Sequence, residues 1–375
     1  MIQPGAILGL IGGGQLGRMF TQAAQRMGFE VHVLDPDPAS PAGRIAARHI
    51  RAPYSDPAAL AELGRASEAV TTEFENVPAE ALAVLRGFCP VRPGAEAVQL
   101  TQDRLAEKAF ARAQGLDTAE FFPILSEEDC GPAIAEIGAP GLIKTARLGY
   151  DGKGQAGVET AEEVVAAFRR FGGQPCILER RLALELEISV VLSRSADGDM
   201  VHFPIAENRH VNGILDTTIA PARITETRAR EASAAASRLA AAMDYVGTMA
   251  VEFFLADGRL LVNELAPRPH NSGHYTLDAC ATDQFEQQVR ALTGLPLGAT
   301  SLLSPAAMVN LLGEVWSDGA PRWDQALRDP RVHLHLYGKL DPRPGRKMGH
   351  ITALAMTPDE ALASAIAARQ RLGEP

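Results

Sequence analysis

Two glutamates in the segment 249–274 are spaced to face each other across a β-hairpin. Alternating apolar runs flank Asp257-Gly258, a dipeptide that favours a two-residue hairpin turn, so the pattern predicts two antiparallel strands. Folding at that turn brings Glu252 and Glu264 opposite one another. Because facing carboxylates repel, the pairing favours a hard divalent cation between them, most commonly Mg²⁺ with nucleotide phosphates. The alternative is a pair of solvated side chains at a sheet edge.

A stiff polar loop follows this hairpin. Its prolines, Pro267 and Pro269, disfavour helix and hold the neighbouring side chains in an extended segment. A loop of this composition is suited to holding a ligand close to the two carboxylates. Its polar side chains, with the residue beside Glu264, are Asn263, Arg268, His270, Asn271 and His274.

A glycine-rich segment, residues 149–155, separates predicted strands at 141–146 and 156–159. Its sequence, GYDGKGQ, lacks the spacing of a P-loop, and no helix start follows it. The pattern favours a hairpin that covers phosphates, with backbone amides and Lys153 as donors and Lys144 at the end of the preceding strand. A flexible turn beside a solvated lysine is the alternative interpretation.

The amino-terminal region carries a second glycine-rich turn. An apolar strand at 5–11 runs into GGGQLG at 12–17, a helix follows, and Asp35 closes the next strand. This arrangement is the dinucleotide-binding fingerprint, so an NAD-dependent dehydrogenase is one hypothesis. The glycines themselves require only that an anion approach a helix N-terminus, which any phosphorylated ligand satisfies.

Polar residues also occur at the ends and in the middle of apolar strands. Glu73, Glu75 and Asn76 follow the predicted strand 69–74, at the edge where parallel sheets bind ligands, although the same residues before Pro78 suit a helix start. Polar residues inside later apolar strands indicate a lined cleft. They are Glu179, Glu187 and His210.

A loop rich in proline and glycine near the carboxyl-terminal end concentrates positive charge in an acidic protein. Such charge is often a solvated face, but a constrained loop in an enzyme with a phosphorylated substrate favours anion binding. The cations are Lys339, Arg343, Arg346 and Lys347.

Composition is that of an ordinary globular protein of about two or three domains. The 375 residues are 46% hydrophobic and 22% charged, and the net charge of -10 argues against a general nucleic-acid binder. The cysteines, at 89, 130, 176 and 280, form no CxxC pair, so neither a zinc cluster nor a disulfide framework is indicated. No apolar run approaches the ~20 residues of a membrane span, which predicts a cytoplasmic protein without a membrane partner.

Helical and strand patterns alternate along the chain. Long amphipathic helices are predicted at 95–114, 226–244 and 275–293. A small mixed module is predicted from 302 onward, with strands near 306–312, 332–338 and 350–355 and a helix at 358–372. The pattern therefore indicates a combination of α/β and α+β domains.

Together these motifs resemble one family of purine-biosynthesis enzymes, the N5-carboxyaminoimidazole ribonucleotide synthetases of the ATP-grasp superfamily. The resemblance extends in order over nearly the whole chain, and two of its segments, GYDGKGQ and NELAPRPHNSGH, are highly specific. The matching segments are GGGQLGRM, TEFENVP, QDR, GYDGKGQ, NRHVNGIL, NELAPRPHNSGH, YGK and RPGRKMGHI.

This resemblance implies a fold, a reaction and a set of partners. The implied fold is a Rossmann-like domain at 1–98, an ATP-grasp domain of two lobes at 99–298 and a small mixed α/β domain at 299–375, in a homodimer. The implied reaction carboxylates 5-aminoimidazole ribonucleotide with bicarbonate and ATP, using Mg²⁺ and passing through carboxyphosphate. Because carboxyphosphate hydrolyses readily, a glycine-rich loop that closes over it would exclude water.

The resemblance also assigns roles to residues. Glu252 and Glu264 become Mg²⁺ ligands. Because the attack of the substrate amine needs a proton acceptor, we also expect Asp151, with Tyr150 beside it, to position that amine or take its proton. Bicarbonate is expected near Arg268, His270, Asn271 and Ser272. The ribonucleotide is expected at Gly14, Gln15, Leu16, Glu73, Glu75 and Asn76, and its phosphate or the bicarbonate-derived anion at Lys339, Arg346 and Lys347. Expected ATP contacts are Arg104, Lys144, Gly149, Tyr150, Asp151, Gly152, Lys153, Gly154, Gln155, the adenine strand Glu179, Arg180, Arg181 and Leu182, and Glu187, His210, Asn263 and Glu264.

Three other interpretations stay open at the level of sequence. A sister ATP-grasp ligase, such as a formate-dependent glycinamide ribonucleotide transformylase, would share the hairpin and the cleft but not the HNSGH and RPGRKMGH segments so closely. The NAD-dependent dehydrogenase leaves Glu252, Glu264 and GYDGKGQ unexplained. A non-catalytic nucleotide-binding protein would keep the fold without needing both carboxylates.

Overall fold

The first part of the chain forms a parallel sheet flanked by helices. The computed structural model describes residues 1–149, 152–317 and 319–373. The elements are β1 (Ile7–Ile11), α1 (Gln15–Arg26), β2 (Glu30–Leu34), β3 (Arg48–Ile50), α2 (Pro57–Ala66), β4 (Ala69–Thr72) and α3 (Ala79–Leu85). The strands pair in parallel in the order β3-β2-β1-β4. The central strand β1 carries no polar side chain, which suits a sheet that is covered on both faces.

A small antiparallel sheet with two helices follows. Its elements, with two preceding helices, are α4 (Ala95–Thr101), α5 (Arg104–Ala113), β5 (Phe121–Ile124), α6 (Cys130–Ile137), β6 (Gly141–Thr145), β7 (Gln155–Val158), α7 (Ala161–Arg170) and β8 (Cys176–Arg180). The strand order is β5-β8-β6-β7. The segment 149–155 therefore connects two paired strands, as the sequence predicts, and β7 begins at its last residue.

The rest of the chain shares one nine-stranded antiparallel sheet. Its strands and helices are β9 (Leu186–Arg194), β10 (Met200–His202), β11 (Ala206–Val211), β12 (Ile214–Ala220), α8 (Glu226–Ala242), β13 (Gly247–Ala256), β14 (Arg259–Ala266), α9 (Thr276–Ala279), α10 (Gln284–Thr293), β15 (Ala306–Leu312), α11 (Trp323–Ala326), β16 (Val332–Leu336), β17 (Lys347–Leu354) and α12 (Pro358–Gln370). The order is β14-β13-β9-β11-β12-β15-β17-β16, with β10 beside β9. Because β12 pairs with β15, the sheet continues across the predicted boundary at 298, and both predicted boundaries stay predictions.

Two helices predicted as continuous are each broken by an aspartate. The helix predicted over 95–114 is α4 and α5, because the Asp103 side chain accepts hydrogen bonds from the amides that begin α5. The helix predicted over 275–293 is likewise α9 and α10, because Asp283 caps α10 in the same way. Amphipathic periodicity continues through both breaks, so it does not reveal them.

The parallel sheet is held against the later part of the chain through α10. Phe285, Val289 and Leu292 of α10 share an apolar cluster with Leu8 and Phe20, and Arg26 forms an ion pair with Asp283 at 2.5 Å. This packing brings the carboxyl edge of the parallel sheet over the hairpin β13–β14. Among the described residues, no helix has both the length and the apolar character that crossing a bilayer requires.

Candidate active site

The hairpin β13–β14 places its two glutamates as predicted. Glu252 and Glu264 are paired across the strands, with a bulge directly after Glu252. The turn residues Asp257 and Gly258 have φ values of 50° and 66°, the left-handed values that a tight hairpin turn requires. Both carboxylates line one cavity of about 580 Å³. The solvated-edge interpretation is therefore wrong.

The cavity lies where the parallel sheet, the small sheet and the large sheet meet. Many of the predicted site residues line it, and they come from all three predicted domains. They are Gln15, Leu16, Glu73, Glu75, Asn76, Arg104, Lys144, Gly152, Lys153, Gln155, Glu187, His210, Glu252, Asn263, Glu264, Arg268, His270, Asn271 and Lys347.

The surroundings of the glutamate pair are polar, and one of the buried polar atoms there has no hydrogen-bond partner. Arg104 contacts Glu264 at 3.1 Å, and the Asn263 amide donates to Glu252 at 3.4 Å. The Oδ1 of Asn263 is buried without a hydrogen-bond partner. Burial, and then the charge of Glu264, raises the pKa of Glu252, although the charge of His210 opposes this shift. The site thus presents oxygen ligands that a cation would stabilise.

A buried ion-pair network lies behind the cavity wall. The Lys144 ammonium donates to Glu179 at 2.6 Å, and Lys108 contacts the other oxygen of the same carboxylate at 3.0 Å. Burial raises the pKa of Glu179, but Lys108 and Lys144 more than offset this effect and hold it well below the usual range. Lys144 reaches the cavity, whereas Glu179 does not line it.

A chain of hydrogen bonds orients His270 from behind. Asn208 donates to Ser189 at 3.0 Å, and Ser189 donates to Ser272 at 2.7 Å. The hydroxyl of Ser272 lies 2.8 Å from His270 Nδ1, to which it donates. That bond leaves the ring proton on Nε2, which points to Glu252 at 3.5 Å. Burial, and then the charge of Arg268, lowers the pKa of His270 well below its usual value, so the ring is neutral.

Two more contacts organise the same region. His210 hydrogen-bonds Glu187, and this bond and the charge of Glu252 raise the pKa of His210 even though its burial lowers it. Arg268 forms an ion pair with Glu75 of the parallel-sheet domain. This pair links the two parts of the chain that enclose the cavity.

The glycine-rich turn at the start of α1 is already occupied by carboxylates of the protein. Glu73 accepts hydrogen bonds from the amides of Gly14 and Gly17, the second at 2.7 Å. Asp35 accepts from Gly13 at 2.7 Å. Because these amides hold protein carboxylates, a dinucleotide diphosphate would meet negative charge there. The NAD-dependent dehydrogenase hypothesis is therefore wrong.

Some predicted site residues do not line the cavity. Ser272 lies behind His270, Lys339 donates to Gln15 at 2.7 Å, and Arg346 donates to the Asp341 carbonyl at 2.8 Å. Arg180 forms an ion pair with Glu120 at 2.7 Å and is exposed. The remaining residues away from this cavity are Gly14, Gly149, Gly154, Glu179, Arg181 and Leu182. Tyr150 and Asp151 lie outside the described residues.

An apolar wall of the cavity is missing from the predicted set. It consists of Leu142, Leu215 and Phe254. The sequence held a signal for two of them, since Leu142 is two residues before Lys144 and Phe254 two residues after Glu252, and side chains two apart in a strand share a face. Apolar strand residues otherwise resemble core, so the sequence alone does not mark them as cavity lining.

Comparison with known proteins defines the class first. Family models match for an ATP-grasp domain over 109–285, a ribonucleotide synthetase preATP-grasp domain over 6–102 and a phosphoribosylaminoimidazole carboxylase C-terminal domain over 306–364. The small sheet and the part of the large sheet around β13–β14 form two lobes around the cavity. With this arrangement, the matches define an ATP-grasp ligase. The predicted fold class is confirmed, with its Rossmann-like, ATP-grasp and small mixed parts.

The relatives then identify the family. The N5-carboxyaminoimidazole ribonucleotide synthase of Brucella melitensis biotype 1 is 45% identical over 94% of this chain and 97% of its own. That of Bacillus subtilis (strain 168) is 43% identical over 96% of this chain and 94% of its own. The chain belongs to the N5-carboxyaminoimidazole ribonucleotide synthase family, which confirms the resemblance and sets aside the sister ligase.

Solved structures agree with this assignment. An ADP complex of an N5-carboxyaminoimidazole ribonucleotide synthetase superposes with a TM-score of 0.93 at 42% identity, covering 100% of this chain and 99% of that one. An N5-carboxyaminoimidazole synthase from Aspergillus clavatus, in complex with ADP and 5-aminoimidazole ribonucleotide, has a TM-score of 0.88 at 30% identity, covering 98% of this chain and 99% of that one.

Proposed function

We propose that this chain carboxylates 5-aminoimidazole ribonucleotide with bicarbonate and ATP, giving N5-carboxyaminoimidazole ribonucleotide, ADP and phosphate in purine biosynthesis. The observation that carries the proposal is the composition of the single cavity described above. It combines the facing carboxylates of the hairpin with cations of both lobes and polar side chains of the parallel-sheet domain. A nucleotide and a second substrate therefore have complementary surfaces within one cavity.

The nucleotide is assigned to the part of the cavity between the two lobes. Arg104, Lys144 and Lys153 supply positive charge for the phosphates. The apolar wall of Leu142, Leu215 and Phe254 suits the faces of the adenine ring. The adenine strand at 179–182 stays a prediction, since its side chains do not line the cavity.

Mg²⁺ is assigned to Glu252 and Glu264. The donor set fits this ion, because two carboxylates face each other beside the unpaired amide oxygen of Asn263. Within the described part of the chain, no cluster of three or more His, Cys, Asp or Glu side chains could hold a metal ion, so nucleotide phosphates and water would complete the coordination. When bound, Mg²⁺ supplies charge neutralisation to the phosphates.

The first chemical step activates bicarbonate, which is a poor electrophile. A bicarbonate oxygen attacks the γ-phosphorus, the bond to ADP breaks, and carboxyphosphate forms. Lys144, Lys153 and Arg268 neutralise the charge that develops. Arg268 is held in place by Glu75, and neutral His270 offers its Nε2 proton to an oxygen without adding a charge.

The second step transfers the carboxyl group to the exocyclic amine of the ribonucleotide. The C–O bond to the phosphate in carboxyphosphate breaks, and CO₂ and inorganic phosphate are released beside that amine. The amine nitrogen then attacks the CO₂ carbon, and the proton that it loses passes to an acceptor, for which Asp151 is the candidate. The ribonucleotide is assigned to the end of the cavity that is lined by the parallel-sheet domain. The residues that line this end are Gln15, Glu73, Glu75 and Asn76. Lys347 also lines it, and with Lys339 and Arg346 is assigned to the anionic group. The roles of Asp151 and Tyr150 stay predictions, based on the need of the amine for a proton acceptor.

The test measures ADP release with purified protein, Mg²⁺, ATP and 5-aminoimidazole ribonucleotide, with bicarbonate present or rigorously removed. We expect turnover that requires both the ribonucleotide and bicarbonate. Turnover with glycinamide ribonucleotide and formate, and none with bicarbonate, would overturn the substrate assignment while leaving the ATP-grasp class intact. Asp151→Asn then tests the proton-transfer role, with a shifted pH profile as the expected result.

The remaining expectations of the family resemblance are part of the same proposal. They are a homodimer, a cytoplasmic location, no nucleic-acid partner, and domains at 1–98, 99–298 and 299–375. Light scattering coupled to size-exclusion chromatography tests the dimer, because a mass near 40 kDa would contradict it and a mass near twice the 39.9 kDa chain would support it.

A further inference from the structure

Lys108 on α5 is a buried cation that does not reach the cavity. Its side chain is 2% exposed, and its ammonium contacts Glu179 at 3.0 Å and donates to the Asn263 carbonyl at 3.1 Å. Glu179 is 3% exposed and belongs to β8 of the small sheet, whereas Asn263 belongs to β14 of the large sheet. The ammonium therefore joins the two lobes at a point directly behind the nucleotide side of the cavity.

The contact is one of three that α5 makes with consecutive residues of β14. Lys108 donates to Asn263, Arg104 contacts Glu264, and Glu107 accepts from the amide of Leu265 at 2.5 Å. Residues 104, 107 and 108 lie on one helical face, since side chains three and four positions apart are neighbours. One helix face thus holds the segment that carries a predicted metal ligand.

The charges of the network have a consequence for Lys144. Two ammonium groups share one carboxylate, so the network of Lys108, Glu179 and Lys144 keeps a net single positive charge. Only Lys144 of the three reaches the cavity. Without Lys108, the pair of Lys144 and Glu179 would be neutral overall, and the surface facing the phosphates would lose that positive charge.

We propose that Lys108 is a positioning residue for nucleotide binding: by sharing the Glu179 carboxylate, it leaves the charge of Lys144 available to the ATP phosphates while tying the two lobes together. This inference rests on the proposed function only in placing ATP phosphates beside Lys144. It does not depend on the identity of the second substrate.

The test compares the charge-removing variant Lys108→Met with the charge-conserving variant Lys108→Arg. We expect Lys108→Met to weaken ADP binding, measured by calorimetry, about tenfold or more, because one charge is removed from a partly buried phosphate site. We expect Lys108→Arg, which keeps a cation beside Glu179, to bind ADP within about threefold of the wild type, because the net positive charge of the network is retained.

Steady-state kinetics give a second measurement that distinguishes positioning from general destabilisation. In Lys108→Met, KM for ATP should rise about tenfold or more, with KM for the ribonucleotide unchanged and kcat at saturating ATP falling far less. Arg112→Met is the matched control. Arg112 lies on the same helix, donates to Thr118 at 2.9 Å and stacks on Phe121 at 4.2 Å, but does not line the cavity. The control should lose thermal stability without a change in KM for ATP.

Two results would overturn the proposal. One is wild-type ADP affinity in folded Lys108→Met. The other is a folded Lys108→Arg that binds ADP about tenfold or more weakly than the wild type, and this result overturns the proposal even if Lys108→Met does not fold. Because ADP binding needs neither bicarbonate nor the ribonucleotide, a failure of the proposed carboxylation would leave this test intact.

Discussion

At the residue scale, Glu264 is the side chain whose charge the proposed reaction most requires. Glu264→Gln keeps the shape and removes the charge, so we expect ADP release to fall by about 100-fold or more while the melting temperature changes little. Glu231→Gln, on an exposed face of α8, is the matched control and should retain turnover. Retention of Mg²⁺-dependent ADP release by Glu264→Gln would contradict the metal assignment.

Glu107 gives the second residue-scale prediction, a pH-dependent stability. Burial, and then the charge of Glu264, raises its pKa from the usual 4.5 to about 8. The folded state therefore holds this proton between those pH values, and the stability gained from it is lost as the pH rises through that window. Glu107→Gln mimics the protonated form and keeps an oxygen for the Leu265 amide.

We expect the melting temperature of Glu107→Gln to exceed that of the wild type by about 3 °C or more at pH 9, and by less at pH 5. Calorimetry without nucleotide or Mg²⁺ measures this difference. Glu231→Gln again serves as the control and should show no pH-dependent gap. An equal gap for Glu107→Gln at both pH values would show that the carboxyl does not hold its proton in the folded state.

At the element scale, the break between α4 and α5 is specified by one side chain. Asp103 accepts from the amides of Leu105 and Ala106, and it places Arg104 in the first turn of α5. Loss of the cap in Asp103→Ala should cost about 1 kcal/mol and lower the melting temperature by ~2–4 °C. It should also raise KM for ATP, because Arg104 contacts Glu264 from that turn.

Asp103→Asn is the comparison for this change, since asparagine is an equally good cap and should restore both the melting temperature and KM for ATP. Thermal melts and ATP titrations of the two variants provide the measurements. A rise in KM for ATP in the asparagine variant would show that the charge of Asp103, rather than its capping bond, supports the site.

At the scale of the whole molecule, the nine-stranded sheet connects the ATP-grasp part to the last part of the chain. Removing residues 299–375 would expose the edge of β12 at Thr217–Ala220 and uncover buried Ile219. We expect the fragment 1–298 to aggregate, because an unpaired edge with an apolar face readily pairs with another chain. Size-exclusion chromatography measures this outcome, with residues 1–373 as the control. A monodisperse 1–298 that binds ADP would instead show that 298 is a folding boundary.

How much of the structure could be predicted from the sequence also depends on scale. The register of Glu252 with Glu264 was predictable, because both a tight turn and strand alternation are local properties of the chain. The pairing of the two strands that flank residues 149–155 was predictable for the same reason. The helix breaks before α5 and α10 could not be predicted. An aspartate within an amphipathic pattern can lie inside a helix or cap a new one, and only the backbone conformation decides between the two.

The sequence by itself determined the family, the facing glutamates of the hairpin and most of the polar cavity lining, since motifs with specific residue types carry these in short segments. Three contacts were decided only by the tertiary structure. Glu73 accepts hydrogen bonds from the amides of Gly14 and Gly17, and Glu75 forms an ion pair with Arg268. Lys108 shares the carboxylate of Glu179 with Lys144. These contacts join residues from different sheets. Two residues that are far apart in sequence produce no periodic pattern, so their contact is recognised only in the folded structure, where packing brings the side chains together.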